Sequence, residues 1–256
     1  MSRWIAITRS VSRSIADCEL TFLERLPIDI ENARRQHGAY EATLRSLGLE
    51  VLSLPEEPHL PDAVFVEDVA ILLDECAILT RPGADSRRPE SESISRALAP
   101  YRKLFTIQAP GTIDGGDVLV VGKSVFVGIS SRSNNSAIEQ MQTFLAPYGY
   151  SVQAMPVSGC LHLKSAVTQV AQATLLLNPA WVERMNFPGL QIIEVDSSEP
   201  YAANALLVGE KLIYQPVFPK TLSRLALVGI HPVLVDQSEL AKAEGALTCS
   251  SLIFKG

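Results

Sequence analysis

The chain has 256 residues, 47% of them hydrophobic, enough for one large domain or two small ones with a sizeable core. Its 22 Lys and Arg against 28 Asp and Glu give a net charge of −6, the wrong sign for the basic stripe that neutralises nucleic-acid phosphates. A small-molecule partner is expected instead. The opening residues Met1 to Arg9 turn polar too early for a signal-peptide core, and no apolar run approaches the roughly 20 residues of a membrane span. No membrane partner and a cytoplasmic location follow as expectations.

In chain order, the pattern predicts a helix over 31–47 and a strand over 49–54. An apolar strand over 64–72 then passes through the polar pair Asp74-Glu75 into a second strand, as a hairpin requires. A helix over 90–99 and a strand over 103–107 follow. The same order returns from 117 to 122, with a turn at Gly122-Lys123-Ser124, a helix over 135–147 and a strand over 151–155. It returns again from 161 to 167, with a turn at Gln172-Ala173, a helix near 179–186 and a strand over 190–195. A fourth copy begins at 204–209, turns at Gly209-Glu210-Lys211, and continues with a helix over 219–228 and a strand over 231–235. The last apolar stretch, 247–254, has no return strand of its own. Trp4-Ile5-Ala6-Ile7-Thr8 could supply it and close the chain into a ring, with 31–47 and 49–54 completing the fifth unit.

Five hairpin–helix–strand units around one axis would make a fivefold pseudosymmetric α/β propeller, in which each unit buries its apolar face on its neighbours. An irregular open α/β sheet accounts for the pattern nearly as well. The whole of 1–256 is read as one catalytic domain. Pseudosymmetry has a chemical corollary: Glu67-Asp68, Asp114 with Asp117, His162, Asn204 and Cys249 all lie near the start of a first hairpin strand and would meet near the axis.

Cys18, Cys76, Cys160 and Cys249 are scattered, without a Cys-x-x-Cys, and in a reducing compartment should be free thiols. Cys249 follows a Gly-containing turn and leads into the last strand, where it is either a buried strand thiol or a presented nucleophile. His162, in Leu161-His162-Leu163, is the one histidine of four flanked by apolar residues on an expected strand, where an unpaired imidazole would be costly. It suits protonation of an amine leaving group near neutral pH. Asp114-Gly115-Gly116-Asp117 can be read as a turn, but Asp114 could also hold the tautomer of His162. Glu67 and Asp68, if buried, need partners, and a planar guanidinium supplies matching donors. Arg87 and Arg132, each just after a hairpin, could pair with a carboxylate at the other end of a zwitterionic amino acid.

Taken in order, Pro61-Asp62 with Val64-Phe65-Val66-Glu67-Asp68, Thr80-Arg81-Pro82-Gly83 with Ser86-Arg87-Arg88, Asp114-Gly115-Gly116-Asp117, Leu161-His162-Leu163-Lys164-Ser165, Tyr201-Ala202-Ala203-Asn204 and Leu247-Thr248-Cys249 resemble the landmarks of the dimethylarginine dimethylaminohydrolases, from about residue 30 onward. The resemblance implies the fivefold α/β propeller of the guanidino-group-modifying superfamily. It also implies hydrolysis of Nω-methylated arginine to citrulline and dimethylamine or methylamine. Cys249 would attack the guanidinium carbon, His162 would protonate the departing amine and then activate water, and Asp114 would orient His162. Glu67 and Asp68 would bind the guanidinium. Asp62, Arg87 and Arg132 would hold the amino-acid end, with backbone contacts from Leu20 and Ala243. No metal or other cofactor is implied, and a homodimer is left open. A guanidine deiminase releasing ammonia is the nearest alternative, and a silent arginine-derivative binding protein a second.

Overall fold

A computed structural model describes residues 3–256. In chain order the elements are β1 (Trp4–Arg9), α1 (Ile30–Ser46), β2 (Glu50–Leu54), β3 (Ala70–Leu72), β4 (Cys76–Leu79), α2 (Ser91–Leu98), β5 (Lys103–Thr106), β6 (Val118–Val121), β7 (Ser124–Ile129), α3 (Asn135–Leu145), β8 (Ser151–Pro156), α4 (Leu163–Ala166), β9 (Val167–Ala171), β10 (Thr174–Leu177), β11 (Gln191–Glu194), β12 (Leu206–Val208), β13 (Lys211–Tyr214), α5 (Pro219–Leu227), β14 (Val233–Leu234), α6 (Ser238–Ala241) and β15 (Leu252–Lys255), joined in places by single 3-10 turns.

The strands form five separate three-stranded sheets. In four of them an antiparallel hairpin is joined on its second strand by a parallel third strand: β3-β4-β5, β6-β7-β8, β9-β10-β11 and β12-β13-β14. In the fifth, β1 lies between β15, to which it is antiparallel, and β2, to which it is parallel. The first strand therefore supplies the missing return of the last hairpin, as the sequence suggests.

α1 shows why these residues form these elements. Asp29 caps its N-terminus, its side chain accepting from Asn32 N. The buried residues Ala33, His37, Tyr40 and Leu44 recur at three- and four-residue steps and make one buried face, with His37 beside Glu41 on it. Gly48, at φ +90, ends it in a conformation other residues adopt at a cost. Five apolar clusters each join two neighbouring units. Ile71 and Ile78 pack with Val125 and Val127, Phe126 with Leu175, Leu176 with Tyr214, Ile213 with Ala6 and Tyr40, and Ile5 and Leu252 with Ala77 and Ile94. Each of these clusters draws on two units, so burial in each unit depends on its neighbours.

Two expectations are corrected. Residues 179–186 do not form an α-helix; the stretch holds one 3-10 turn, Arg184–Asn186. Pro188 forces Phe187 out of helical geometry, to φ −122 and ψ 63, and leaves too short a run for a helix to propagate. The expected strands at 64–72, 161–167 and 247–254 are also shorter than their apolar runs. Their leading halves close into the 3-10 turns Val66–Val69 and Thr248–Ser250 and the short helix α4. The polar residues in those halves bond across units rather than into a sheet ladder.

Candidate active site

Those turns carry the expected site residues. Glu67 and Asp68 lie in the turn before β3, Asp114 just before the turn Gly115–Asp117 that leads into β6, His162 at the N-terminus of α4, and Cys249 in the turn before β15. His162 and Cys249 are thus on turns, not on the strands their flanking residues suggest.

His162 is buried, and its Nε2 lies 3.1 Å from Asp114 Oδ2 while its Nδ1 lies 3.9 Å from Asp68 Oδ1. Burial opposes the imidazolium, but Asp68, the hydrogen bond to Asp114 and the charge of Asp117 outweigh it and raise the pKa to about 9. Asp114 is fixed in turn, its Oδ1 accepting from Gly83 N at 2.9 Å. Asp117 holds the backbone beside the imidazole: its Oδ1 accepts from Leu163 N at 3.0 Å, and Oδ2 accepts from Ser130 and Ser133, each at 2.6 Å. The glycines between the two aspartates permit the approach. A Cβ on Gly116 would lie 2.6 Å from His162 Nδ1, and one on Gly115 would lie 2.0 Å from the Glu67 carbonyl oxygen. The Asp-Gly-Gly-Asp segment is a turn, and it is also the floor under the histidine.

Cys249 lies in a small cavity of about 20 Å³ with Asp62, Phe65, Asp68, Arg87, Asp114, Arg132, His162 and Ala243. Burial pushes its thiol well above the ordinary range, and the charges of Glu67 and Asp68 push it further, all favouring the neutral thiol. Cys18, Cys76 and Cys160 are also free and buried, but none lines this cavity. Cys160 donates to the His162 carbonyl at 3.4 Å, and burial followed by Asp117 pushes its pKa up to about 12.

The remaining expected residues divide. Asp62 faces the cavity, and its Oδ2 accepts from Glu19 N at 3.1 Å. Half-buried Arg132 lines the cavity and donates to Thr21 Oγ1 at 3.0 Å. Leu20 packs with Ala243, Phe65 and Cys249 in one apolar cluster. Arg87 lines the cavity and is held by the protein: it pairs with Asp68 at 2.5 Å and with Glu90 at 2.8 Å, and donates to the carbonyls of Asp62 and Phe65. Glu67 turns away from the small cavity into a separate one of about 310 Å³, where Lys164 at 2.6 Å and Thr248 at 2.7 Å donate to it. Asn204 closes that network, donating to Thr248 Oγ1 at 3.0 Å and accepting from Thr248 N at 3.3 Å, so it braces the cysteine turn.

Sequence reasoning missed Glu90, Thr248 and Glu19. Only Glu90 carries a signal, its three-residue spacing from Arg87 on one helical turn. Burial raises Glu90 to about 7 despite the guanidinium beside it. Ligand atoms of Asp68, Asp114 and His162 lie within 4.8 Å of one another and could offer a cation three donors. Each residue is already engaged in the contacts above.

Among the described residues, no helix is long and apolar enough to cross a membrane. A family model described as N,N dimethylarginine dimethylhydrolase, eukaryotic, matches residues 23–183. The N(G),N(G)-dimethylarginine dimethylaminohydrolase of Pseudomonas aeruginosa is 36% identical over 97% of this chain and 98% of its own. Its namesake in Streptomyces coelicolor is 36% identical over 96% and 95%. A solved mutant of the Pseudomonas enzyme complexed with citrulline superposes with a TM-score of 0.94 at 35% identity, covering 99% of this chain and 100% of that one. The N-terminal domain of ArgZ, an arginine dihydrolase from cyanobacteria, has a TM-score of 0.88 at 18% identity, covering 98% and 97%, and shows a shared fold alone. With a histidine, an aspartate and a cysteine assembled from three separate turns, and with relatives matched over nearly their full length, the chain belongs to the dimethylarginine dimethylaminohydrolase family.

Proposed function

We propose that this chain is a cysteine-dependent hydrolase that converts Nω-methylated arginine to citrulline and dimethylamine or methylamine. The observation that carries the reading is the cavity in which neutral Cys249 faces the His162–Asp114 pair amid buried carboxylates. An entering guanidinium brings the positive charge that lowers the cost of forming thiolate, and the thiol proton passes to solvent. The Cys249 sulfur bonds to the guanidinium carbon as the bond to the methylated nitrogen breaks, and His162 delivers its proton to that nitrogen. Water then attacks the S-alkylthiouronium carbon and gives a proton to His162, thiolate leaves and is reprotonated, and the ureido product remains. Asp114 holds the imidazole in line. Asp68 and Asp62 supply negative charge to the substrate's cationic groups, and Arg132 is the guanidinium available for its carboxylate. Arg87 acts through Asp68. Glu67 holds Lys164 and Thr248 behind the cysteine turn, adding negative charge to the guanidinium end.

The cyclic sequence of clusters, each shared by two successive units and the last shared with the first, supports a single-domain fivefold α/β propeller. Four free thiols favour a reducing compartment, the cytoplasm. The test is separate incubation with asymmetric dimethylarginine, monomethylarginine, arginine and agmatine, with ureido product and released amine measured by mass spectrometry. Citrulline with dimethylamine from the first, abolished by Cys249→Ser and by His162→Gly and retained by Cys76→Ser, is the expected result. Ammonia from arginine or agmatine alone would make the protein a deiminase.

A further inference from the structure

The segment from Glu19 to Ile28 runs beside the Cys249 cavity: Glu19 lines it, Thr21 meets cavity-lining Arg132, and Leu20 and Ile28 pack in the apolar cluster that holds Cys249. Among the described residues, none in 19–28 takes part in a backbone-to-backbone hydrogen bond, so side chains must hold this strap in place. One side chain dominates. Glu244 Oε1 accepts from Thr21 N at 3.1 Å, Phe22 N at 2.5 Å and Leu23 N at 2.7 Å, and Oε2 also accepts from Thr21 N at 3.1 Å. Three successive amides thus converge on one carboxylate, the arrangement by which a peptide nest binds an anion. Single contacts hold the rest of the strap: Glu19 N donates to Asp62 at 3.1 Å, Ser86 to Glu19 at 2.6 Å, Arg132 to Thr21 Oγ1 at 3.0 Å, Arg25 to the Cys18 carbonyl at 2.7 Å and Lys242 to the Pro27 carbonyl at 3.0 Å.

A second, independent observation concerns the backbone of Glu244. It sits at φ +57, a left-handed conformation in which glycine is unstrained and a side chain is not. Glycine follows at once, at Gly245, where a Cβ would lie 2.2 Å from the Phe65 ring. The turn therefore carries a strained glutamate at the position that reaches the strap, beside cavity-lining Ala243.

We propose that Glu244 is a positioning residue for substrate binding. Its carboxylate latches the 21–23 amides, and so sets the backbone of Leu20 and the hydroxyl of Thr21 over the amino-acid end of the cavity. The cavity has room for about one water, so substrate entry requires the strap to shift, and the Glu244 contacts would then hold it in its shifted place over the substrate. The inference rests on the proposed function for the identity of that substrate, but the latch itself is a statement about the strap.

The test uses Glu244→Gly, which removes the carboxylate while relaxing the left-handed backbone, and so should fold at least as well as the parent. Hydrogen exchange at the amides of Thr21, Phe22 and Leu23 should accelerate by at least about tenfold, with exchange in β6 and β7 unchanged. KM for dimethylarginine should rise by roughly tenfold with kcat within about threefold, since the latch acts on retention and not on the reacting atoms. Glu244→Gln, which keeps one acceptor oxygen, should fall between the two. Unchanged exchange at the three amides in Glu244→Gly would overturn the latch. Faster exchange together with no turnover of any methylated arginine by the parent protein would uphold the latch and overturn the substrate.

Discussion

Arg87 Nη1 lies 2.5 Å from Asp68 Oδ2, and both side chains are buried. A guanidinium expected to meet the substrate's carboxylate lines the cavity and is also held by carboxylates of the protein. Removing it leaves Glu90 without its cation and Asp68 with His162 alone, and loss of one partner of a buried pair costs about 3–5 kcal/mol. Arg87→Ala should therefore lower the thermal midpoint strongly. Arg132→Ala, at a half-buried position, should leave the midpoint near that of the parent and raise KM. Parental stability in Arg87→Ala with a selective rise in KM would return Arg87 to the substrate's carboxylate.

Gly116→Ala should reduce kcat sharply, by about 100-fold or more, because its Cβ would stand 2.8 Å from Asp68 Oδ1 as well as against the imidazole. Gly38→Ala is the matching control. Nothing lies within 4 Å of a Cβ there, in the middle of α1, so the helix should gain about 0.5–1 kcal/mol with no change in rate. Equal kcat for the two variants would show that close approach to His162 is unimportant.

The His162 imidazolium should titrate near pH 9 with no substrate added, followed by NMR of labelled histidine. Its pKa is raised on folding, so its contribution to stability is complete below the unfolded value of about 6.5 and is lost as pH climbs through the folded value. Asp114→Asn should lower the midpoint while leaving Asp68 and Asp117 to oppose burial. A midpoint at the ordinary histidine value in the parent would contradict this balance of charges.

Alkylation of Cys249 by iodoacetamide should be slow at neutral pH, since burial and then Glu67 and Asp68 disfavour the thiolate. Peptide mapping by mass spectrometry would follow it. Rapid modification near pH 7 in the absence of any cation would mean that the thiolate is preformed.

Much of this could be read in the residues because burial imposes a period. Tyr40 and Leu44 mark one face of α1, and the turns at Gly122 and Gly209 punctuate two hairpins, so local chemistry alone locates those elements. The stretch at 179–186 misleads because composition there suits a helix while Pro188 forbids enough length for one. At the site, His162 stands out among apolar neighbours, Cys249 after a Gly-containing turn and Asp114 beside Gly115-Gly116. Their geometry could not, since it depends on pairings between residues far apart: Glu67 with Thr248, Glu244 with Phe22, Leu163 with Asp117. Nothing near Glu67 tells which of two cavities its side chain enters.

The pairing of β1 with β15 has a kinetic meaning. Cys249 belongs to the turn that enters β15, and β15 hydrogen-bonds to a strand at the opposite end of the described chain. A contact of such long sequence separation carries the greatest loop-closure cost and belongs late in folding. Asp114 and His162 can be brought together by their own units before then, but the sulfur cannot be presented to them. Regain of catalysis after denaturation should consequently lag the return of secondary structure, making activity a reporter of the last step in assembly.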